Sequence, residues 1–205
     1  MRVLCLDASS TTIGIAVIDY DDGYKPTLIH QEFYKPNKSL ELTDMLVETR
    51  RFIIGLAETH KTDEIVIEDY VRFMSGKSNS KTTILLAILN MTLRIAALDN
   101  LGINVVPYNV LKIRHALKKT KTIPSKEEMP ELVAEILGIK FPYLYKENRK
   151  KEVLPIPECN DVADAIAVGL THIKVMSEPK KKAKTKKKVS KKKTAKKAVK
   201  KAIKK

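Results

Sequence analysis

Cysteine is nearly absent from this 205-residue chain: Cys5 and Cys159 are its two copies, far apart and without C-x-x-C spacing. That excludes a disulfide scaffold and a thiolate zinc site. No continuous apolar run approaches the ~18 residues needed to cross a bilayer, and VLCL at positions 3–6 is too short for a cleavable leader. The expectation is a soluble intracellular protein. Acidic residues are missing from one end. Between Lys180 and Lys205 there are 16 lysines, no Asp or Glu and no aromatic residue, so residues 1–179 hold 23 basic against 24 acidic side chains although the whole chain carries +15.

The excess charge is therefore a property of the tail alone. A lysine block of low complexity repels itself and cannot bury a core, so residues 179–205 read as a segment disordered when free. With charge but no aromatic ring it offers a grip on phosphate backbone without base readout; a solubilising or localising extension is the plainer alternative. Residues 1–178, drawn from a chain that is 43% hydrophobic, suffice for one domain with a substantial core.

Within that domain, 2–8, 13–20 and 28–34 read as strands joined by SSTT and DYDDGYKP, close enough for an antiparallel meander. An amphipathic helix follows over 39–60, with Ser39 as its expected cap. DEIVIEDY at 63–70 and INVVPY at 103–108 read as buried strands. Between them 81–102 is a long helix, apolar nearly all round and ending at Gly102. Helices are expected at 109–118, 125–138 and 160–176, with a basic, proline-flanked loop over 140–158. This order predicts an α/β fold: a mixed five-stranded sheet with helices on both faces.

Asp7 ends the first apolar strand, where an unpaired carboxylate is costly to bury. Glu68 ends the fourth in the same way. In NDVADAIAVGL, Asp161 and Asp164 stand three apart at the start of a helix and so share a face. If the strands are neighbours, four carboxylates from three segments converge. Two carboxylates at 4 Å repel by about 4 kcal/mol at an effective dielectric of 20. A hard divalent cation removes the conflict, and an all-carboxylate set points to Mg²⁺ or Mn²⁺. Two such ions are the standard apparatus for phosphodiester hydrolysis, one activating water and the other stabilising the leaving 3′-oxygen. Taken singly the residues are less telling, since Asp161 also suits a helix N-terminus. Asp69 is expected on the opposite face, and Asp19, Asp21 and Asp22 read as turn formers.

LDASSTTIGIAVID with Gly14, IEDYVRFMSGKSNS and DVADAIAVGLTH together resemble the RuvC-type Holliday junction resolvases of the ribonuclease H-like superfamily, in order and spacing over 2–176. The resemblance implies Asp7, Glu68, Asp161 and Asp164 as the metal-binding catalytic set. It also implies a homodimer that cuts symmetric strands of a four-way junction, and other branched DNA is a further candidate substrate. The spare apolar face of the 81–101 helix is where the dimer contact would fall, unless the 141–157 loop covers it. Candidate DNA-binding residues are Tyr70, Arg72, Phe73, Lys77 and Lys81 after the fourth strand, Lys112, Arg114, Lys118, Lys119 and Lys121 after the fifth, and Arg149, Lys150 and Lys151 in the basic loop.

The chain departs from the family in having Ala8 and Ser9 where Pro-Gly usually follows the first Asp, so this loop must use ordinary backbone angles. The family's cellular enzymes place an aromatic where Val71 stands. The tail and the 141–157 insertion look more like the viral and phage branch, and the expected location is a cytoplasmic, nucleoid or viral DNA compartment. Two other classes compete. A non-catalytic architectural DNA-binding protein would need only the tail, and an actin-like kinase would need a second domain for which there is no length.

Overall fold

A computed structural model of the chain describes residues 1–9, 11–69, 80–119, 121–140, 145–147, 149, 151 and 153–178. Three strands open it: β1 (Arg2–Ala8), β2 (Ile13–Tyr20) and β3 (Pro26–Tyr34). They pair antiparallel, with Asp7 opposite Gly14. Their links are short because side chains organise them. Ser9 Oγ accepts from the Thr12 and Thr11 N–H groups and donates to the Thr12 carbonyl, and Asp21 Oδ1 accepts from the Gly23 and Lys25 N–H groups. No described residue between Ala8 and Thr12 has a positive φ, so the missing Pro-Gly is replaced by a serine-centred turn.

Beyond the meander, β4 (Glu64–Glu68) and β5 (Val105–Tyr108) add in parallel to β1, giving the order β3-β2-β1-β4-β5. Parallel strands require crossovers. These are α1 (Leu42–His60) and α2 (Ser80–Leu101), followed by α3 (Val110–Leu117), α4 (Met129–Leu137) and α5 (Cys159–Ser177). The caps follow local chemistry. Lys61, Gly102 and Gly138 turn the chain through positive φ after α1, α2 and α4, and the Asn109 side chain accepts from the Lys112 N–H at the start of α3.

The two-residue period of the strands divides the core. Leu4, Leu6, Ile13, Ile15, Val17, Ile65 and Ile67 face α1 and α2, while Val3, Cys5, Ala16, Ile18, Val66 and Tyr108 face α3, α4 and α5. α5 is the most enclosed helix, with every residue from Ala165 to Ile173 buried.

Several expectations change. Helix α1 starts at Leu42 with Glu41 at its cap and no side-chain cap bond; Ser39 instead bonds Asn37 Oδ1. Asp19 is a strand residue, not a turn former: Arg2 Nε and Nη2 donate to its two oxygens at 2.7 and 2.8 Å, closing an ion pair between β1 and β2. The 140–158 stretch carries a small hairpin, β6 (Tyr145–Glu147) against β7 (Val153–Pro155), too short to show a period in sequence. By length and composition alone α2 is long and apolar enough to cross a membrane. Its inner face, Leu89, Asn90, Leu93, Ala96 and Ala97, is however buried in this domain.

Candidate active site

Parity places the first two carboxylates. Asp7 follows Val3 and Cys5 on the α5 face of β1, and Glu68 follows Val66 on the same face of neighbouring β4. Both stand at the same end of parallel strands. Asn90, buried in α2, donates its Nδ2 to the Glu68 carbonyl at 3.1 Å and pins the end of β4. Above them, the first turns of α5 supply Asp161 and Asp164. The four expected carboxylates thus meet at one corner between sheet and helix.

Their charges oppose one another. Burial, then the charges of Glu68, Asp164 and Asp161, push the Asp7 carboxyl well above its ordinary value, and Lys126 only partly relieves it. Burial and the Asp164 charge raise Glu68 to about 7, against Lys126 and Arg114. Asp161 and Asp164 are raised as well, chiefly by burial. Among the described residues the cation paired with this set is Lys126, whose Nζ lies 3.4 Å from Asp164 Oδ2. Burial alone would lower the Lys126 ammonium; the charges of Asp164, Asp7 and Asp161 outweigh it and raise it.

Arg114 and Lys35 add their influence from further off, yet all four carboxyls stay raised. An oxygen-only donor set with excess negative charge suits a hard divalent cation rather than a softer metal. Among the described residues no three His, Cys, Asp or Glu side chains are drawn together closely enough to enclose an ion. Ligation therefore calls for a side-chain arrangement other than this one.

Lys126 is the residue that sequence reasoning missed. It lies in the expected basic stretch but nothing in sequence separates it from five neighbouring cations. Of those, Arg114 acts electrostatically on Glu68 and Asp164. Lys112 packs its Nζ 4.5 Å from the centre of the Tyr108 ring. Lys118 and Lys119 do not join the site: with Lys174 and Ser177 they line a groove at the far end of α5, and Lys119 pairs with Glu135. Lys121, Lys81, Arg149 and Lys151 are exposed, while Tyr70, Arg72, Phe73, Lys77 and Lys150 lie outside the described residues.

This corner sits in a chain whose residues 3–172 match the family described as "Crossover junction endodeoxyribonuclease RuvC". Curated proteins of that name include one from Campylobacter curvus, 31% identical over 174 residues that span 84% of this chain and 96% of the relative. Another, from Sulfurovum sp., is 28% identical over 88% of this chain and all of the relative. Among solved structures, Thermus thermophilus RuvC superposes with a TM-score of 0.66 at 21% identity, over 86% of this chain and 95% of that one. The yeast mitochondrial Holliday junction resolvase Ydc2 gives 0.59 at 14% identity, over 84% and 77%. Likeness at such identities speaks for the fold, which is the ribonuclease H-like one. The family match and the extent of its bacterial relatives go further: this chain belongs to the crossover junction endodeoxyribonuclease RuvC family.

Proposed function

We infer that this protein is a structure-selective endonuclease that resolves four-way DNA junctions by metal-dependent phosphodiester hydrolysis, with Asp7, Glu68, Asp161 and Asp164 as its catalytic carboxylates. The observation that carries the site is the convergence of four half-buried carboxylates, whose charges oppose one another, around Lys126. A divalent cation held there, Mg²⁺ or Mn²⁺, would polarise the scissile phosphate and generate hydroxide from water near neutral pH. The chain's own groups do the rest. Asn90 and the β1–β4 pairing hold the sheet carboxylates, and α5 holds the other two. Arg114 and Lys126 supply positive charge at the rim, where a phosphate must approach a negative site.

A second copy of the chain completes the reading. Ile84, Ile88, Met91, Ile95 and Leu98 of α2 are between 37% and 58% exposed, at steps of four, three, four and three residues. That spacing suits a two-helix contact, and it lies on the helix whose other face holds the end of β4 through Asn90. Two copies joined there would carry two active sites, as paired cuts in opposite strands demand. The experiment is cleavage of a synthetic four-way junction, a Y-fork, a flap and a linear duplex side by side, with Mg²⁺, Mn²⁺ or chelator. Paired symmetric nicks confined to the junction and abolished by chelator are expected; indifferent nicking of linear duplex, or cutting in chelator, would overturn the reading.

A further inference from the structure

Helix α5 meets the sheet at three fixed points. At its first turn the bare backbone of Gly14 faces the Asp161 peptide so closely that a Cβ on residue 14 would sit 1.9 Å from the Asp161 carbonyl oxygen and 2.3 Å from its carbon. Midway, Gly169 faces β1 and β2, and a Cβ there would sit 2.4 Å from Cys5 Sγ and 2.9 Å from Ile18 Cδ1. Further on, buried His172 has Nε2 2.6 Å from Glu64 Oε2 and Nδ1 3.0 Å from Tyr108 Oη. The latter half of the helix is thus held by shape and by hydrogen bonds that are costly to break in a core.

Gly14 is also the residue opposite Asp7 in the β1–β2 register. One backbone position therefore adjoins both halves of the carboxylate set. Resting on the four-carboxylate reading of the site, we propose that Gly14 is a positioning residue for the reaction. Its missing side chain lets the first turn of α5 seat on β2, and that seating fixes the spacing between Asp7 on the sheet and Asp161 and Asp164 on the helix.

A methyl group at this point presses on backbone, which cannot rotate away as a side-chain end can. Contacts of a Cβ under 3.0 Å do not occur in practice, so the 1.9 Å approach requires a displacement of about 1 Å. Gly169 and His172 hold the helix from sliding. The first turn must lift instead, and it carries Asp161 and Asp164 away from Asp7. Misplacement of reacting groups by about 1 Å costs roughly 10²-fold in rate.

The test compares full-length Gly14→Ala with a control that moves a comparable group across the same interface away from the site, Cys5→Ala/Gly169→Ala. Asp7→Asn is run in parallel. Each is measured for single-turnover cleavage of a four-way junction with Mg²⁺ at saturating enzyme and for junction affinity in chelator. Trimethylamine N-oxide supports folding, and every rate is normalised to the folded fraction by circular dichroism. Gly14→Ala is expected to cut roughly 10²-fold more slowly with junction affinity nearly unchanged, while the control melts lower but cuts at close to the wild-type rate. Adding His172→Gln to Gly14→Ala frees the far end of α5 and should restore about tenfold of the rate despite further loss of stability, which a merely structural role would not do. A folded Gly14→Ala that cuts like wild type, or a double variant slower than the single, overturns the proposal. If instead Asp7→Asn cuts at the wild-type rate, the site reading has failed rather than the role of Gly14.

Discussion

Asp7 is held where a carboxylate is least comfortable, on a buried strand end beside Glu68, Asp161 and Asp164. Such a residue is kept at a cost in stability, so Asp7→Asn should both abolish function and firm up the metal-free fold. Losing one ligand of a cation worth several kcal/mol to the transition state should slow cleavage by roughly 10³-fold or more. Relief of about 1 kcal/mol of repulsion should raise the melting temperature in chelator by about 2–4 °C. Cleavage assays and thermal melts of the same preparation check both, and a variant that loses activity while melting lower would contradict the repulsion argument. Glu68 gives the pH counterpart. Its carboxyl, raised to about 7 from the ordinary 4.5, keeps a proton in the native state over a range where the unfolded chain has released it. The native state then binds more protons, so metal-free stability should fall as pH rises from about 4.5 to 7. Melts at pH 5.5 and 7.5 in chelator should show this fall, Glu68→Gln should flatten it, and Mg²⁺ should offset it at the upper pH. The four carboxylates were legible in sequence because strand ends and a three-residue helix spacing are local patterns. Lys126 was not, because only the folded path of the loop before α4 brings it to Asp164.

At the scale of elements, the alternation of Val3, Leu4, Cys5 and Leu6 between two cores already decides which face Asp7 points to, and the same parity sends Glu68 to meet it. Sequence periodicity therefore yields the mixed sheet and its helices to within a few residues. It fails where three-residue strands or competing polar side chains decide the outcome, as in the β6–β7 hairpin and at Ser39, which prefers Asn37 to the helix end. Helix α2 shows a subtler ambiguity. Being apolar all round, it passes by composition for a membrane span, while Leu89, Leu93, Ala96 and Ala97 on one side are buried in this domain. Its outer stripe is the surface proposed to meet a second copy. Ile88→Glu/Ile95→Glu should convert a dimer into a monomer in light scattering, with little change in melting temperature extrapolated to low concentration, because both side chains are exposed in the single chain. Paired cuts should give way to uncoordinated nicks. A variant that stays dimeric would move the contact away from α2.

Across the whole molecule, charge and chemistry are divided between segments. Residues 1–179 are close to neutral and hold the carboxylate corner, while the 16 lysines from Lys180 onward hold the excess charge. We propose that this tail, which lies outside the described residues, grips phosphate by releasing counterions; if about 6–10 lysines reach phosphates, affinity should fall by roughly 10³–10⁵ between 50 and 200 mM salt. Deleting residues 180–205 should flatten that dependence and weaken binding to junction and duplex alike, since a lysine block reads neither bases nor shape. The preference for junction over duplex should survive the deletion. So should the single-turnover rate at saturating enzyme, because Asp7, Glu68, Asp161 and Asp164 are fixed by β1, β4 and α5, none of which includes the tail. Plots of log affinity against log salt for full-length and truncated protein, on both DNAs, separate the contributions. If truncation instead erased the junction preference and left the salt slope intact, the tail would be a reader of branch geometry and the domain a cutter without discrimination.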